Sequence, residues 1–256
     1  MSGIFDPSVY IKTVTIVGCG GTGAAAARIV ARILYDMRRS RKHTPQLVLV
    51  DHDCVEEKNI GRQALFAPSD IGKFKAACIA QRLNYALGLN IAYIPEPVNA
   101  TQHFDRYSGN LVISCVDNYE ARREIHRING ILIGSGNHTD SGQVCIGNCD
   151  DPDLMRRFIN GRDSKYPYLP KEGLLFPELL QPETIEVTPA PSCGELVEAG
   201  EQSLLINDWQ STVIGSYVYK LLHRQPITSF LTYISMGDFP SVRSVPICSK
   251  ELVVFL

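Results

Sequence analysis

Thr13–Gly23 reads TVTIVGCGGTG, and this stretch decides the fold. An apolar run closes on Gly18, Gly20, Gly21 and Gly23. An Ala-rich segment follows at once, with Ala27, Val30, Ala31 and Leu34 at helical spacing. That order spells strand, tight turn and helix N-terminus. The turn lacks side chains, so an anion can approach the backbone N–H groups directly, and the helix dipole favours negative charge there. Glycine turns of this kind are common, and alone they separate few chemistries.

Outward from this turn, strand and helix signals alternate. Lys12–Val17 is the first predicted strand and Gly23 to about Arg39 the first helix. QLVLV at Gln46–Val50 is the second strand. Asp70–Leu87 has a helical pattern, with Gly72 weakening its first turn. Asn90–Val98 and Leu111–Val116 follow as strands, Tyr119–Asn129 as a helix and Ile131–Gly134 as a short strand. The alternation predicts an α/β, doubly wound, mostly parallel Rossmann-like sheet with helices on both faces. Ser203–Leu222 is helical, with Leu205, Trp209, Val213, Tyr217 and Leu221 on one stripe. Ile227–Ile234 and Val242–Ile247 make a C-terminal antiparallel extension. Between them, residues 150–192 hold seven of the chain's fifteen prolines and little periodicity, which predicts a crossover loop or small insertion.

Composition narrows the classes. The 256 residues are 45% hydrophobic and carry a net charge of −2, enough to bury a full core and without the basic excess of a polyanion binder. No nucleic-acid partner is expected. No run of 18 apolar residues and no basic-then-apolar leader is present, so neither a membrane span nor a signal peptide is expected. The eight scattered cysteines suit a reduced, cytoplasmic protein rather than a disulfide framework.

Asp51–Gln63, DHDCVEEKNIGRQ, separates the nucleotide chemistries. Asp51 ends the second strand 33 positions after Gly18, where a carboxylate can accept hydrogen bonds from a ribose diol. The common dinucleotide fingerprint spaces them by about 20 residues, and the long first helix accounts for the difference. A turn aspartate is the alternative. Asn59, Arg62 and Gln63 add a polar cluster suited to a triphosphate, since a guanidinium stays charged and forks onto phosphate oxygens. Lys75 can place a point charge on the same phosphates, or belong to a solvated helix face. Asp117 ends the fourth strand in LVISCVDN, where ligands of open parallel sheets bind. A carboxylate facing phosphates needs a cation between them, which points to Mg²⁺.

The ordered motifs GCGGTG, LVDHDCVEEKNIGRQ, IGKFKA and SCVDN resemble the ThiF/MoeB/HesA superfamily, which includes the ubiquitin-activating enzymes. The resemblance spans roughly residues 12–147 and returns over Cys193–Leu222. The single unit and the PSC element at Pro191–Cys193 look closest to the ThiF-family proteins of PRTRC systems. The resemblance implies one adenylation domain over residues 1–256, with Gly18, Gly20 and Gly21 on the nucleotide backbone and Asp51 on the ATP ribose. It places Asn59, Arg62, Gln63 and Lys75 on the triphosphate and Asp117 on Mg²⁺. The implied reaction is adenylation of the C-terminal glycine carboxylate of a small ubiquitin-like or sulfur-carrier protein, with release of pyrophosphate. Cys193 lies where several relatives carry a cysteine that accepts the activated acyl group or sulfur, and an inert loop thiol is the alternative.

Two departures qualify this. Relatives often hold zinc through two C-x-x-C pairs, whereas here Cys145 and Cys149 stand in CIGNC without a matching pair, so no structural zinc is expected. Relatives also supply an arginine to a partner subunit from a helix ahead of the first strand. Here only about ten residues precede that strand, and the only basic one is Lys12, inside it; a homodimer is still expected by resemblance. Three readings compete. A nicotinamide-dependent oxidoreductase would leave Arg62, Lys75 and Asp117 unexplained. A ThiF-like dehydratase acting on a modified tRNA would keep the ATP site and change the acceptor. A non-catalytic ThiF-fold module would not need the charged residues.

Overall fold

The computed structural model describes residues 3–63, 65–107, 109–159, 165–182 and 205–256. Its eight-stranded sheet contains β2 (Thr13–Val17), β3 (Gln46–Val50), β4 (Ala92–Ile94), β5 (Asn110–Ser114), β6 (Ile131–Asn137), β7 (Ser141–Gly147), β9 (Ser229–Ser235) and β10 (Ser241–Pro246). The order is β10-β9-β7-β6-β5-β2-β3-β4. From β4 to β6 all pairings are parallel, and from β6 to β10 all are antiparallel. Strand order reverses between β2 and β5, which opens a crevice beyond their carboxyl ends. A separate two-stranded sheet pairs β1 (Ile4–Phe5) with β8 (Lys165–Tyr166).

Alternation along the parallel strands feeds two cores. Val14, Ile16, Leu47, Leu49, Leu111, Ile113, Ile131 and Ile133 face the larger one, with α1 (Gly21–Arg39), α2 (Lys75–Leu87) and α6 (Ile206–Leu222). Val17, Val50, Val112 and Leu132 face the smaller one, with Ile125 of α3 (Tyr119–His126) and Ile128 just beyond it. Both faces are therefore covered, as the near-continuous apolar strands require. Each fully buried Leu or Ile contributes about 1.5–3 kcal/mol.

Several boundaries differ from expectation. Gly72 adopts φ +85°, so the helix expected from Asp70 begins at Lys75. The strand expected over Asn90–Val98 spans Ala92–Ile94. The strand expected over Ile131–Gly134 continues to Asn137 and turns back as β7, a hairpin the alternation did not reveal. On α6 the buried stripe runs through Ile206, Gln210, Ile214, Tyr217 and Val218, while Leu205 is 56% exposed.

The excursion at 150–192 is packed where it is described. α4 (Pro152–Ile159) and α5 (Glu172–Leu175) bury Met155, Ile159 and Leu175. Lys171 donates to the carbonyls of His126 and Ile128 and to Asp150 at 2.6 Å. Asp150 and the 171–180 stretch are thus tied to α3, whereas in α4 the Ile159 carbonyl accepts from Ser249; residues 160–164 and 183–192 lie outside the described residues.

Candidate functional site

A crevice of about 1430 Å³ opens where β2, β3 and β5 end. Gly18, Gly20, Gly21, Asp51, Asn59, Gln63, Lys75 and Asp117 all line it. Its floor is the turn into α1. Gly18 has φ +86°, and a Cβ there would lie 2.5 Å from the Cys115 carbonyl oxygen; at Gly23 a Cβ would lie 1.8 Å from the Gly18 carbonyl oxygen. These glycines let β2, β5 and α1 converge. Gly20 caps α1 without a side chain, and no acidic residue stands in the first turn. The helix N-terminus is therefore bare and positively poled, which fits a phosphate.

Asp51 is nearly buried at the end of β3. Its Oδ2 accepts the Cys19 N–H at 2.5 Å and its Oδ1 the Asp53 N–H at 2.8 Å. Burial pushes its carboxyl up from the ordinary range, and those two backbone bonds act against the rise. Each oxygen can accept a second hydrogen bond, and Asp51 lines the crevice, which fits a ribose hydroxyl. Lys75 opens α2 with its side chain 10% exposed, and its Nζ donates to Asp53 Oδ2 at 2.9 Å.

The Asn59–Gln63 segment divides. Asn59 is buried, and its Oδ1 accepts the Glu56 N–H at 2.8 Å. Gln63 keeps a buried Oε1 without a partner among the described residues. Arg62 lines a separate recess of about 30 Å³ with Gly21, Ala24, Arg28, Leu65 and Asp208. It stands beside the first turn of α1 rather than on the main crevice wall.

Asp117 is exposed on the crevice wall, and Asn118 next to it caps α3 by accepting the Ala121 N–H at 2.8 Å. Among the described residues, Asp51, His52 and Asp53 bring three potential ligand atoms within 4.8 Å of one another, and Asp117 is not among them. Asp117 fits Mg²⁺ in the mode that takes one carboxylate plus phosphate oxygens and water.

The structure adds residues that sequence reasoning missed. Thr22 Oγ1 lies 2.8 Å from Asn207 Oδ1 and 3.1 Å from Gln210 Oε1. Asn137 Nδ2 donates to Asn207 Oδ1 at 2.8 Å, and Gln210 Nε2 to the Gly136 carbonyl at 2.5 Å. This network docks α6 onto the turn. Polar Asn207, Gln210 and Ser211 on an otherwise apolar helix were the available signal. Arg122 pairs with Glu172 at 2.7 Å beneath the Asp117 loop and donates to the carbonyls of Val116 and Ser135.

Cysteines at the turn are poor nucleophiles. Burial pushes the Cys19 thiol well above its usual range, with the Asp51 carboxylate adding to the rise. Burial pushes Cys115 up to about 12. Cys193 lies outside the described residues.

The approach to Lys75 is pH-sensitive. Asp70 loses solvation, which alone would raise its carboxyl, but the Ala67 N–H at 2.8 Å and the Arg82 guanidinium outweigh this and hold it below the ordinary range. A depressed folded-state value stabilises above the unfolded-state range and is lost as pH falls through it. Asp70→Asn is thus expected to cost about 1 kcal/mol near neutrality, Arg82 being partly exposed. The difference should shrink as pH falls below the ordinary carboxylate range and Asp70 takes up its proton in the folded state as well. Guanidinium unfolding at neutral and acid pH checks this, and an equal difference at both would refute the assignment.

Comparison with known proteins agrees with this geometry. Residues 11–132 match the ThiF family model. Ubiquitin-like modifier-activating enzyme 5 of Drosophila erecta is 31% identical over 129 residues, covering 45% of this chain and 30% of that protein. Its Culex quinquefasciatus counterpart is 32% identical over 130 residues, with the same coverage. The match thus spans under a third of these relatives' length. The crystal structure of E. coli MccB with ATP has a TM-score of 0.58 at 17% identity, covering 93% of this chain and 64% of that one, a likeness of fold. Residues 11–132, which build the glycine turn and both carboxylate-bearing strand ends, are thus the part of the chain that is similar to the ThiF family.

Proposed function

We propose that the protein adenylates the C-terminal carboxylate of a small ubiquitin-like or sulfur-carrier protein, using ATP and Mg²⁺, with residues 1–256 acting as one adenylation domain. The observation that carries this is the bare N-terminus of α1 opening into one crevice with Asp51, Lys75 and Asp117. The relatives are named as activating enzymes and MccB was crystallised with ATP, which supports the same reading.

In this reading Gly18, Gly20 and Gly21 offer backbone to the phosphates and Asp51 accepts from the ribose. Asn59, Gln63 and Lys75 face the triphosphate, and Arg62 stabilises it from the side of α1. Asp117 would hold Mg²⁺, which supplies charge neutralisation at the phosphates. Catalysis then rests on positioning and fixed charge, with the carrier carboxylate attacking the α-phosphorus and pyrophosphate leaving. The crevice exceeds the 300–1,000 Å³ typical of one small ligand, leaving room for a carrier tail. A homodimer is part of the proposal by family likeness.

Carrier-dependent exchange of labelled pyrophosphate into ATP is the test. NADH binding in calorimetry without ATP binding would overturn the reading. Cys193→Ala should keep exchange, which needs only the adenylate, and lose any reducible covalent adduct with the carrier. Non-reducing gels and intact mass decide this second step: an adduct persisting in Cys193→Ala would move the acceptor to another cysteine.

A further inference from the structure

The sheet edge opposite the crevice is basic and aromatic. Parallel pairing starts β2, β3 and β5 on that edge. α1 and α6 run side by side toward it: Thr22 Oγ1 donates to Asn207 Oδ1 at 2.8 Å near their starts, and Gly215 packs onto Ile29 further along. Lys12, Arg39, Arg41, Lys42, Arg106 and Arg224 reach this edge from four segments, and all are exposed. None of the six forms an ion pair with another described residue. Tyr10 and Tyr107 stand among them, 53% and 84% exposed.

Cations at a helix C-terminus complement the dipole, which accounts for Arg39. Lys12 and Arg106 instead precede strands. Arg41 and Arg224 carry a backbone cost as well. They sit at φ 54° and 53°, with one residue between each and the end of its helix, α1 or α6. Each closes its helix, with the Lys42 N–H on the Met37 carbonyl at 2.9 Å and the Gln225 N–H on the Lys220 carbonyl at 2.8 Å. Glycine is the low-cost residue at such a cap. Two arginines therefore occupy positions where a side chain is a local liability.

We propose that this edge binds single-stranded polynucleotide, with the cations on phosphates and the tyrosines stacking on bases. The net charge of −2, read above against a nucleic-acid partner, averages unlike faces: the crevice lining carries eight carboxylates against the four cations Lys58, Lys75, Arg122 and Arg127. Exposed tyrosines among cations suit unpaired bases, whose π-faces a duplex hides and an acidic polypeptide lacks.

Fluorescence anisotropy of a short labelled single strand, DNA in one arm and RNA in the other, tests this on the full chain. Binding should weaken with salt at a log–log slope of about −4, the value for six phosphates on a single strand. The duplex should bind more weakly. Arg41→Gly combined with Arg224→Gly should weaken binding about tenfold yet raise Tm by roughly 2–4 °C, because glycine relaxes both caps. Those opposite signs separate lost contacts from misfolding. Tyr107→Ala should weaken binding with the salt slope unchanged. Pyrophosphate exchange should be unchanged in every variant, which keeps the proposal independent of the crevice reading. No anisotropy change at low salt, equal duplex binding, or full competition by polyglutamate overturns it.

Discussion

Lys75→Ala is expected to lower carrier-dependent ATP–pyrophosphate exchange by about 10²–10³-fold, the scale of losing one preorganised donor at developing charge. The fold should survive, because Asp53, the partner left behind, is 54% exposed and stays hydrated. A merely structural Lys75 would act through that pair, and Asp53→Asn would then be equally damaging. The expected order is Lys75→Ala far below Asp53→Asn, with Arg62→Ala between them because Arg62 sits in the side recess. Exchange at the parental rate in Lys75→Ala would remove the lysine from the proposed chemistry.

Arg122→Met is expected to cost about 3–5 kcal/mol of stability, the scale of stranding one member of a buried ion pair. The side chains of Arg122 and Glu172 are 6% and 1% exposed, and Glu172 Oε2 already lacks a partner among the described residues. Combining Arg122→Met with Glu172→Leu should restore most of the loss, since two apolar groups then replace two desolvated charges. Exchange should remain impaired in the double variant, because Arg122 also ties the Val116 and Ser135 carbonyls that set the approach to Asp117. Denaturant unfolding of the four-protein cycle gives the coupling. Additive costs would show that the pair is not the stabilising unit.

The two variants probe different layers of legibility. Lys75 was readable because it follows Gln63 by twelve residues and stands near the start of a helical pattern. The Arg122–Glu172 pair was not, since fifty residues separate its members and Glu172 falls in a proline-rich stretch without periodicity. The same blindness affected α6. Apolar residues there pointed to one stripe, yet Gln210 and Ser211 are buried, the former satisfied by Thr22 and the Gly136 carbonyl. Hydrophobicity cannot reveal a polar side chain that goes inside because its partners wait there.

Local rules made the parallel half of the sheet legible. Glycine spacing marks the turn, apolar runs mark strands buried on both faces, and a carboxylate after a strand end falls on the ligand side of an open sheet. From these the sequence by itself determined the doubly wound fold and put Gly18, Gly20, Gly21, Asp51, Asn59, Gln63, Lys75 and Asp117 on one crevice. Tertiary structure alone decided that Arg62 turns to a side recess, that β6 folds back as β7, and that 150–159 and 165–182 are bolted to the core. It also decided that a near-neutral chain gathers an excess of carboxylates at the crevice and, among the described residues, six cations without an ion pair at the far edge. Each depends on which distant segments meet, and contacts between residues far apart in the chain leave no periodic trace along it.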